Sequence, residues 1–374
     1  MSRPQLPSDC VPPAPRQELR VRSADGTRLH VEVHGAEDAP TVVLAHGWTC
    51  RTAFWAPVIR LLSADHRLVA YDQRGHGRSE IPARPPAAPA RARRTARTLG
   101  RHPGYSTDAL ADDLEAVLQA TVPSGSRAVL AGHSMGGMTI MAAADRAEVR
   151  SRTAATLLAS TGSSGLTAAL DILPFAGHAP RARLAAHRAL MAARTPLGPV
   201  TPLSRAVLKY ATMGPATPAE RVEACARLVH ACPRAVRAEW ARVLGELDLD
   251  ANVGRLTAPT AVIVGSADRL TPPVLARSIH AALPHSEGLT ELPGIGHMSP
   301  VERPDVVADA IRRLAAAHLA AERPAAAHPT ADPALVAPPV TGESPGLPES
   351  RIPSVPEQLP PEQLPVPQQR SADA

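Results

Sequence analysis

A serine lies at the centre of a short motif bounded by glycines, in which residues 132–136 read Gly-His-Ser-Met-Gly. The spacing is G-x-S-x-G, with a short apolar run at 127–131 before it and an Ala- and Met-rich segment at 138–146 after it. A strand, a sharp turn and a helix would hold the Ser134 hydroxyl clear of a sheet, and glycines without a Cβ let strand and helix pass closely. We therefore expect Ser134 to be a nucleophile. The alternative is an incidental serine in a glycine-rich turn.

A serine hydroxyl is a weak nucleophile at neutral pH, so it needs a base and a group that orients the base. Two residues downstream fit these roles, because Asp268 follows an apolar run at 260–264 and His297 follows a run at 288–292. Both residues would lie in loops at the carboxyl ends of parallel strands, close to Ser134. Open α/β sheets have their binding and catalytic sites at this edge. The order Ser, Asp, His is the one expected there. The alternative for Asp268 is a solvated loop acid.

The segments around these residues alternate between strand-like and helix-like patterns. Two alternating stretches joined by Asp25-Gly26, at 18–22 and 29–33, predict an antiparallel hairpin. Shorter apolar runs predict six further strands, at 41–45, 68–71, 127–131, 153–159, 260–264 and 288–292. Helical periodicity is present at 52–62, 107–120, 272–283 and 303–321. This alternation predicts an α/β fold with a mainly parallel, eight-stranded sheet flanked by helices.

Other segments interrupt the alternation. Residues 162–250, after the sixth strand, contain no convincing strand and are predicted to be a helical cap, with helical stretches such as 181–193 and 218–231. Residues 82–104 are rich in Pro and Arg and are predicted to be a flexible insertion within a domain that spans 17–321. Residues 1–16 are predicted to be a flexible N-terminus. The last 53 residues, 322–374, hold 13 Pro and no aromatic residue, which predicts a disordered tail.

The charge distribution gives little support for a nucleic-acid partner. The net charge is +5, but Lys209 is the one lysine among 40 basic residues, which indicates a coding bias towards arginine. Eight aromatic residues are too few for a base-stacking surface. Six arginines nevertheless cluster in the Pro- and Arg-rich segment at 82–104: Arg84, Arg91, Arg93, Arg94, Arg97 and Arg101. Two interpretations stay open for this cluster. It is either a solvated loop without a partner, or a loop that weakly attracts an acidic group: an anionic membrane surface, an acidic carrier or the protein's own tail.

No pattern indicates a cofactor, a metal or a membrane span. Four cysteines without metal-ligand spacing are predicted to be small buried thiols: Cys10, Cys50, Cys225 and Cys232. Gly75-His76-Gly77 lacks the third glycine of a dinucleotide-binding motif. The first 16 residues lack the apolar stretch of a secretory signal, and no run reaches the roughly 20 apolar residues that a spanning helix needs. We therefore expect no cofactor, no metal and a cytoplasmic location.

Taken in order, these motifs resemble the α/β-hydrolase-fold serine hydrolases of the esterase and lipase type, over roughly residues 17–321. The resemblance is carried by His46-Gly47-Trp48 after the third strand, by residues 72–79 after the fourth, and by the loops of Ser134, Asp268 and His297. It implies that Ser134 is the nucleophile, that His297 is the general base and then the acid, and that Asp268 orients His297. It also implies an oxyanion hole made by the backbone N–H groups of Trp48 and Met135.

Neighbouring polar residues are expected to have structural roles, which for Asp72 the same resemblance implies. Asp72 would hold the turn that follows it, although it is the alternative candidate for the acid. His46 and His133 flank the site and are predicted to be structural.

The resemblance implies hydrolysis of a carboxylic ester, or a similar acyl bond, of a small substrate through an acyl-enzyme. Epoxide hydrolases and haloalkane dehalogenases carry Asp in place of Ser134, so they are disfavoured. Carboxylesterases, thioesterases, carbon–carbon bond hydrolases and cofactor-free haloperoxidases or perhydrolases are not separated by the sequence. A ligand-binding protein without turnover is the alternative from a different class, and a complete triad disfavours it.

Deleting residues 325–374 tests the prediction of a disordered tail. We expect the melting temperature and the esterase activity to stay nearly unchanged, because a Pro-rich segment without aromatic residues contributes little to a core. Thermal unfolding and a p-nitrophenyl ester assay on both proteins would measure this. A fall of many degrees would show that the tail packs on the domain.

Overall fold

The computed structural model describes residues 7–83, 104–172, 182, 185–187, 189 and 197–319. It contains one eight-stranded sheet, made of β1 (Gln17–Arg22), β2 (Arg28–His34), β3 (Thr41–Ala45), β4 (Arg67–Tyr71), β5 (Ala128–His133), β6 (Thr153–Ala159), β7 (Thr260–Gly265) and β8 (Ser286–Leu292). The strand order is β1-β2-β4-β3-β5-β6-β7-β8. β2 pairs antiparallel with β1 and β4, and every other neighbouring pair is parallel. The predicted sheet is thus confirmed.

Helices fill the connections between the strands. A 3-10 turn at Thr52–Trp55 leads into α1 (Ala56–Leu62), and the later helices are α2 (Thr107–Thr121), α3 (Met135–Ala142), α4 (Ala147–Ser151), α5 (Leu166–Ala169), α6 (Pro202–Thr212), α7 (Ala219–Ala231), α8 (Arg234–Gly245), α9 (Asp250–Val253), α10 (Pro273–Ala282), α11 (Ser299–Glu302) and α12 (Pro304–His318). The sequence placed the start of α3 at residue 138, three residues too late. No helix among the described residues is long and apolar enough to cross a bilayer.

The central strands are buried on both faces, and their successive side chains point to opposite sides and enter two apolar cores. Val43 of β3 belongs to one apolar core together with Leu110 of α2. Val42, its neighbour, belongs to another core together with Val58 of α1 and Ile311 of α12. Both layers hold the central strands in place, so the carboxyl ends of β3 to β8 form one stable edge.

Residues 162–250, which we call the insertion, lie between β6 and β7 and are mainly helical where the structure describes them. α8 attaches the insertion to the loop that follows β4. The Trp240 indole N–H donates to the Arg74 carbonyl at 3.3 Å, and the Trp240 ring meets Tyr105 edge-on at 5.1 Å. A Cβ on Gly75 would lie 2.8 Å from Val236, so this loop and α8 approach closely.

Several predicted segments lie outside the described residues. These are residues 1–6 of the N-terminus, 84–103 of the Pro- and Arg-rich segment, most of the predicted helical stretch at 181–193, and the whole tail at 322–374. The boundaries of these segments stay predictions. The cysteines are described, and Cys10, Cys50 and Cys225 are buried free thiols, whereas Cys232 is half-buried.

A buried ion pair anchors the loop that follows β4. The Arg74 guanidinium is 1% exposed and donates to both carboxylate oxygens of Asp113, at 2.7 and 2.6 Å. It also donates to Asp25 at 2.8 Å and to the carbonyl of Gly104 at 3.0 Å. These contacts join the β1–β2 hairpin, α2 and the loop around one cation.

The variant Arg74→Met would leave the Asp113 carboxylate buried without its cation. We expect the free energy of unfolding to fall by about 3–5 kcal/mol, since removing one partner of a buried pair leaves an uncompensated charge. Urea unfolding would measure the loss. Arg78→Met is the matched control, because Arg78 makes a similar two-bond pair with Glu18 at the surface, where water screens the charges. Equal losses in the two variants would contradict the argument.

Candidate active site

Ser134 lies on the sharp turn between β5 and α3, in strained backbone geometry with φ 52° and ψ −118°. Such a conformation costs of the order of 1–3 kcal/mol for a residue with a side chain and persists only where its surroundings hold it. Here the Ser134 N–H donates to the Ala159 carbonyl at 3.0 Å, and the Ser134 carbonyl accepts from the Thr161 hydroxyl at 2.8 Å. Neighbouring β6 and its following loop therefore fix the turn on both sides of the serine.

The glycines of the motif are required by close approaches of backbone. A Cβ on Gly136 would lie 2.0 Å from the Ala45 carbonyl oxygen, and one on Gly132 would lie 2.5 Å from the Gly136 carbonyl oxygen. Both distances are far below any tolerable contact. α3 can therefore begin directly beyond Ser134 and against the end of β3 only with glycine at these two positions, as the spacing predicted.

Asp268 and His297 come together from two neighbouring strands. The His297 Nδ1–H donates to Asp268 Oδ2 at 2.9 Å. Asp268 Oδ1 accepts from the N–H groups of Leu270 and Thr271 at 2.9 and 2.8 Å, so the carboxylate has a fixed orientation. The Thr271 hydroxyl donates to Asp268 Oδ2 at 2.8 Å and lies 3.1 Å from His297 Nδ1. Sequence reasoning missed Thr271, because a threonine in a loop carries no recognisable signal.

Ser134 and His297 line the same cavity, close to the predicted oxyanion residues. No hydrogen bond between the Ser134 hydroxyl and the His297 ring occurs in the described part of the chain, and contacts of this kind often tighten only when substrate is bound. His133 lies beside both residues. Its Nε2–H donates to the His297 carbonyl at 2.8 Å, and the two rings are 4.9 Å apart. His133 therefore supports the loop of His297, as a structural role requires.

The cavity has a volume of about 480 Å³ and a mostly apolar wall. The sheet edge contributes Ser134 and His297, and the insertion contributes the apolar side chains Leu166, Leu170, Leu208, Val229 and Leu244. The insertion also contributes three charged residues to the lining, Arg237, Arg242 and Glu246. Such a cavity fits a small organic molecule.

Two backbone N–H groups flank Ser134 without partners among the described residues. Met135 is the first residue of α3, where N–H groups have no acceptor inside the helix. Trp48 belongs to the loop after β3, and a Cβ on the adjacent Gly47 would lie 3.1 Å from the Ser134 Cβ. The Trp48 indole N–H donates to the Arg237 carbonyl at 3.2 Å, so α8 of the insertion holds this loop.

Asp72 does not approach His297 and instead organises the loop that follows it. Its two carboxylate oxygens each accept a backbone N–H, from Thr52 and from Arg78, both at 2.7 Å. A Cβ on Gly77 would lie 2.2 Å from this carboxylate, which explains the glycine there without a dinucleotide. These contacts agree with the structural role that the resemblance implied.

Two histidines beneath the site are buried and neutral. Burial lowers the pKa of His46 to about 3 and the pKa of His76 to about 4. In each ring Nδ1–H donates to a backbone carbonyl and Nε2 accepts a backbone N–H, that of Gln73 for His46 and that of Thr49 for His76. The two imidazoles therefore join the loops after β3 and β4 without adding charge.

One cluster in the described part of the chain brings three metal-ligating atoms within 4.8 Å of one another: Glu18, His30 and Glu32. Arg78 already holds Glu18 through two hydrogen bonds of 2.7 Å, and His30 Nε2 is 3.0 Å from Glu32. A metal-bound histidine donates its other ring N–H, whereas His30 Nδ1 is buried without a partner here. The cluster therefore fits an ion-pair network better than a metal site.

Comparison with known proteins identifies a family, sequence relatives and structural neighbours of this chain. The model of a family described as "Alpha/beta hydrolase family" matches residues 42–310. RutD of Variovorax paradoxus (strain S110), which is named for carbamate hydrolysis, is 31% identical over 259 residues, or 65% of this chain and 80% of that protein. The enol-lactonase from Burkholderia xenovorans LB400 is 25% identical, with a TM-score of 0.59 over 79% of this chain and 99% of that chain. A thermophilic esterase from Thermogutta terrifontis has a TM-score of 0.60 at 24% identity, over 79% and 97% of the two chains, which shows the fold.

The buried neutral histidines make a prediction about acid stability. A folded-state pKa near 4 for His76 means that the unfolded chain binds a proton below about pH 6.5 that the folded protein does not. Stability is therefore lost as the pH falls, by about 1.4 kcal/mol per pH unit for this group between roughly pH 6 and 4.5. Urea unfolding of His76→Gln across that range should give a correspondingly shallower dependence. His285→Gln, at an exposed histidine, is the control, and an unchanged slope in His76→Gln would refute the assignment.

Proposed function

Since this chain belongs to the alpha/beta hydrolase family, we propose that it is a serine hydrolase that cleaves a carboxylic ester, or a similar acyl bond, of a small substrate. The observation that carries the proposal is the 2.9 Å hydrogen bond from His297 to Asp268, with His297 lining the same cavity as a strained Ser134. These are the three groups that acyl transfer through a serine requires.

In the proposed mechanism the Ser134 oxygen attacks the carbonyl carbon of the substrate. His297 Nε2 takes the hydroxyl proton, which it can do because its Nδ1 carries the proton donated to Asp268. The imidazolium then gives its proton to the leaving group, and an acyl-enzyme remains on Ser134. Water enters, loses a proton to His297 and releases the acid, with the same groups acting in reverse order.

Negative charge develops on the carbonyl oxygen in both steps and needs hydrogen-bond donors in a fixed position. We assign the backbone N–H groups of Met135 and Trp48 to this oxyanion hole. Their support is the position of Met135 at the N-terminus of α3 and the proximity of the Trp48 loop to Ser134. Removing one donor of this kind typically lowers the rate by about 10²–10³.

The cavity favours an apolar substrate of limited size. Its volume of about 480 Å³ is within the lower half of the range for small-molecule sites. Leucine and valine side chains from the insertion would contact the acyl or alcohol group, and the polar sheet edge would contact the scissile carbonyl. The insertion would thereby act as the cap that the sequence predicted.

A second candidate is hydrolysis of a carbamate. The support is the 31% identity to RutD, which is named for that reaction. A carbamate carbonyl can be attacked by the same serine, which then expels either the oxygen substituent or, with a proton from His297, the amine. Thioester, carbon–carbon and peracid chemistry use the same three groups and remain alternatives, as does ligand binding without turnover.

The triad is tested by three variants on an activated p-nitrophenyl ester. We expect Ser134→Ala and His297→Ala to abolish turnover. Asp268→Asn should lower kcat by about 10⁴-fold, because an amide stabilises the wrong tautomer of His297. Labelling of Ser134 by a fluorophosphonate, detected by mass spectrometry, measures the nucleophile directly.

Asp72→Asn is the comparison variant for the acid, because Asp72 is the alternative carboxylate and its hydrogen bonds in the described structure go to the backbone N–H groups of Thr52 and Arg78. Full activity in Asp268→Asn together with loss in Asp72→Asn would reverse the assignment. Esters of graded chain length, tested beside a phenyl carbamate, would separate the two candidate substrate classes. An unlabelled Ser134 in the wild-type protein would favour ligand binding.

Two further properties stay proposals. One is a weak contact of the 84–101 arginines with an anionic surface, since these residues lie outside the described structure. The cytoplasm is kept as the proposed compartment, and no cofactor takes part in the mechanism above.

A further inference from the structure

The carboxylate of Glu302 lies where the insertion meets the loop of His297, and no step of the mechanism uses it. Its Oε2 accepts from the Gly214 N–H at 2.7 Å and from the Thr217 hydroxyl at 2.6 Å. Its Oε1 accepts from the N–H groups of Gly296 and Met298 at 3.1 and 3.2 Å, and Gly296 also lies 3.3 Å from Oε2. One carboxylate thus binds the residues on both sides of His297 and the connection between α6 and α7.

The two segments that Glu302 joins also contact each other through their backbones. The N–H groups of His297 and Met298 donate to the Thr212 carbonyl at 2.8 and 3.3 Å. A Cβ on Gly296 would lie 2.4 Å from the Met213 Cα, and one on Gly214 would lie 2.0 Å from the Gly294 carbonyl oxygen. The loop of His297 therefore lies directly against residues 212–217 of the insertion and has no room to shift towards them.

We propose that Glu302 is a positioning residue for His297, which holds the histidine loop against residues 212–217 and so makes the insertion part of what places the imidazole. The proposal rests on the proposed function, in which His297 is the general base. Asp268 and Thr271 orient the ring through Nδ1, whereas Glu302 fixes the backbone at both neighbouring residues.

Glu302 acts through His297 and not on the substrate. The side chains that line the cavity include Thr212, His297 and Met298 but not Glu302. Hydrogen bonds from N–H or O–H donors to a carboxylate are about twice as strong as those between neutral groups, which suits a contact that must hold a loop. An error of about 1 Å in the position of a catalytic group can lower a rate about 100-fold, so the placement has a measurable consequence.

The variant Glu302→Gln tests the proposal with almost no change in size. One carboxylate oxygen becomes an NH₂ group, which must face either the N–H groups of Gly296 and Met298 or the donors of Gly214 and Thr217. Donors then oppose donors on one side of the junction. We expect the rate of fluorophosphonate labelling at Ser134, and kcat for a p-nitrophenyl ester, to fall by about 10- to 100-fold with KM nearly unchanged.

Two further variants separate geometry from charge. Glu302→Asp keeps the charge but is one methylene shorter, so it cannot reach both sides and should be impaired as well. Full activity in Glu302→Asp would overturn the proposal.

Thr217→Val leaves the carboxylate in place and removes only its shortest contact. We expect it to keep the melting temperature of the wild type and to lose a smaller part of kcat, and this variant tests the proposal if Glu302→Gln fails to fold.

Glu148→Gln is the matched control, since it makes the same chemical change at a surface acid that pairs with Arg152. It should leave labelling, kcat and melting temperature unchanged.

The decisive readout is the NMR resonance of the His297 Nδ1 proton, which does not depend on turnover. We expect it to shift or broaden in Glu302→Gln and Thr217→Val and to stay in place in Glu148→Gln. Wild-type kcat with an unshifted resonance in Glu302→Gln would overturn the proposal. If the wild-type protein is not labelled at Ser134, the proposed function fails instead, and the resonance still decides whether Glu302 positions the ring.

Discussion

The turn that carries Ser134 holds a non-glycine residue at φ 52°, and the surrounding sheet supplies the contacts that keep it there. β5 lies between β3 and β6, with Ala45 opposite Gly132 and Ala159 opposite His133. The strained turn is therefore bounded by the ends of both neighbours. Because the parallel strands end at the same edge, the loops after β3, β7 and β8 come to the same place as the serine.

The titratable groups beside this edge are paired, hydrogen-bonded or neutral. Arg74 and Asp113 form a buried pair, Asp72 accepts two backbone N–H groups, and His46 and His76 are kept neutral by burial. Asp268 and His297 are joined by a separate set of hydrogen bonds.

The insertion and the sheet divide the work of forming the cavity. The sheet edge carries Ser134 and His297, and the insertion carries most of the apolar wall. Among the contacts that join them are those of Trp48 with Arg237, Trp240 with Arg74, and Thr212 with His297. Each of these contacts ends on a different loop of the sheet edge. The insertion is therefore attached to the groups beside Ser134 as well as lying over them.

The sequence by itself determined the elements and the candidates. Apolar periodicity located the eight strands, with β3 and β6 placed to the residue. G-x-S-x-G located the turn of Ser134 because the close approach of Gly132 to Gly136 is local to the motif. Tertiary structure decided the rest. α3 begins at Met135 although Gly136 and Gly137 are poor helix formers, since the approach of Ala45 and Thr161 leaves room only for glycine there. The contacts of Asp268 with His297, and of Glu302 with Gly214, join residues 29 and 88 positions apart. Local periodicity carries no information on such pairs, because their distance is set by how strands and insertion pack and not by the residues between them.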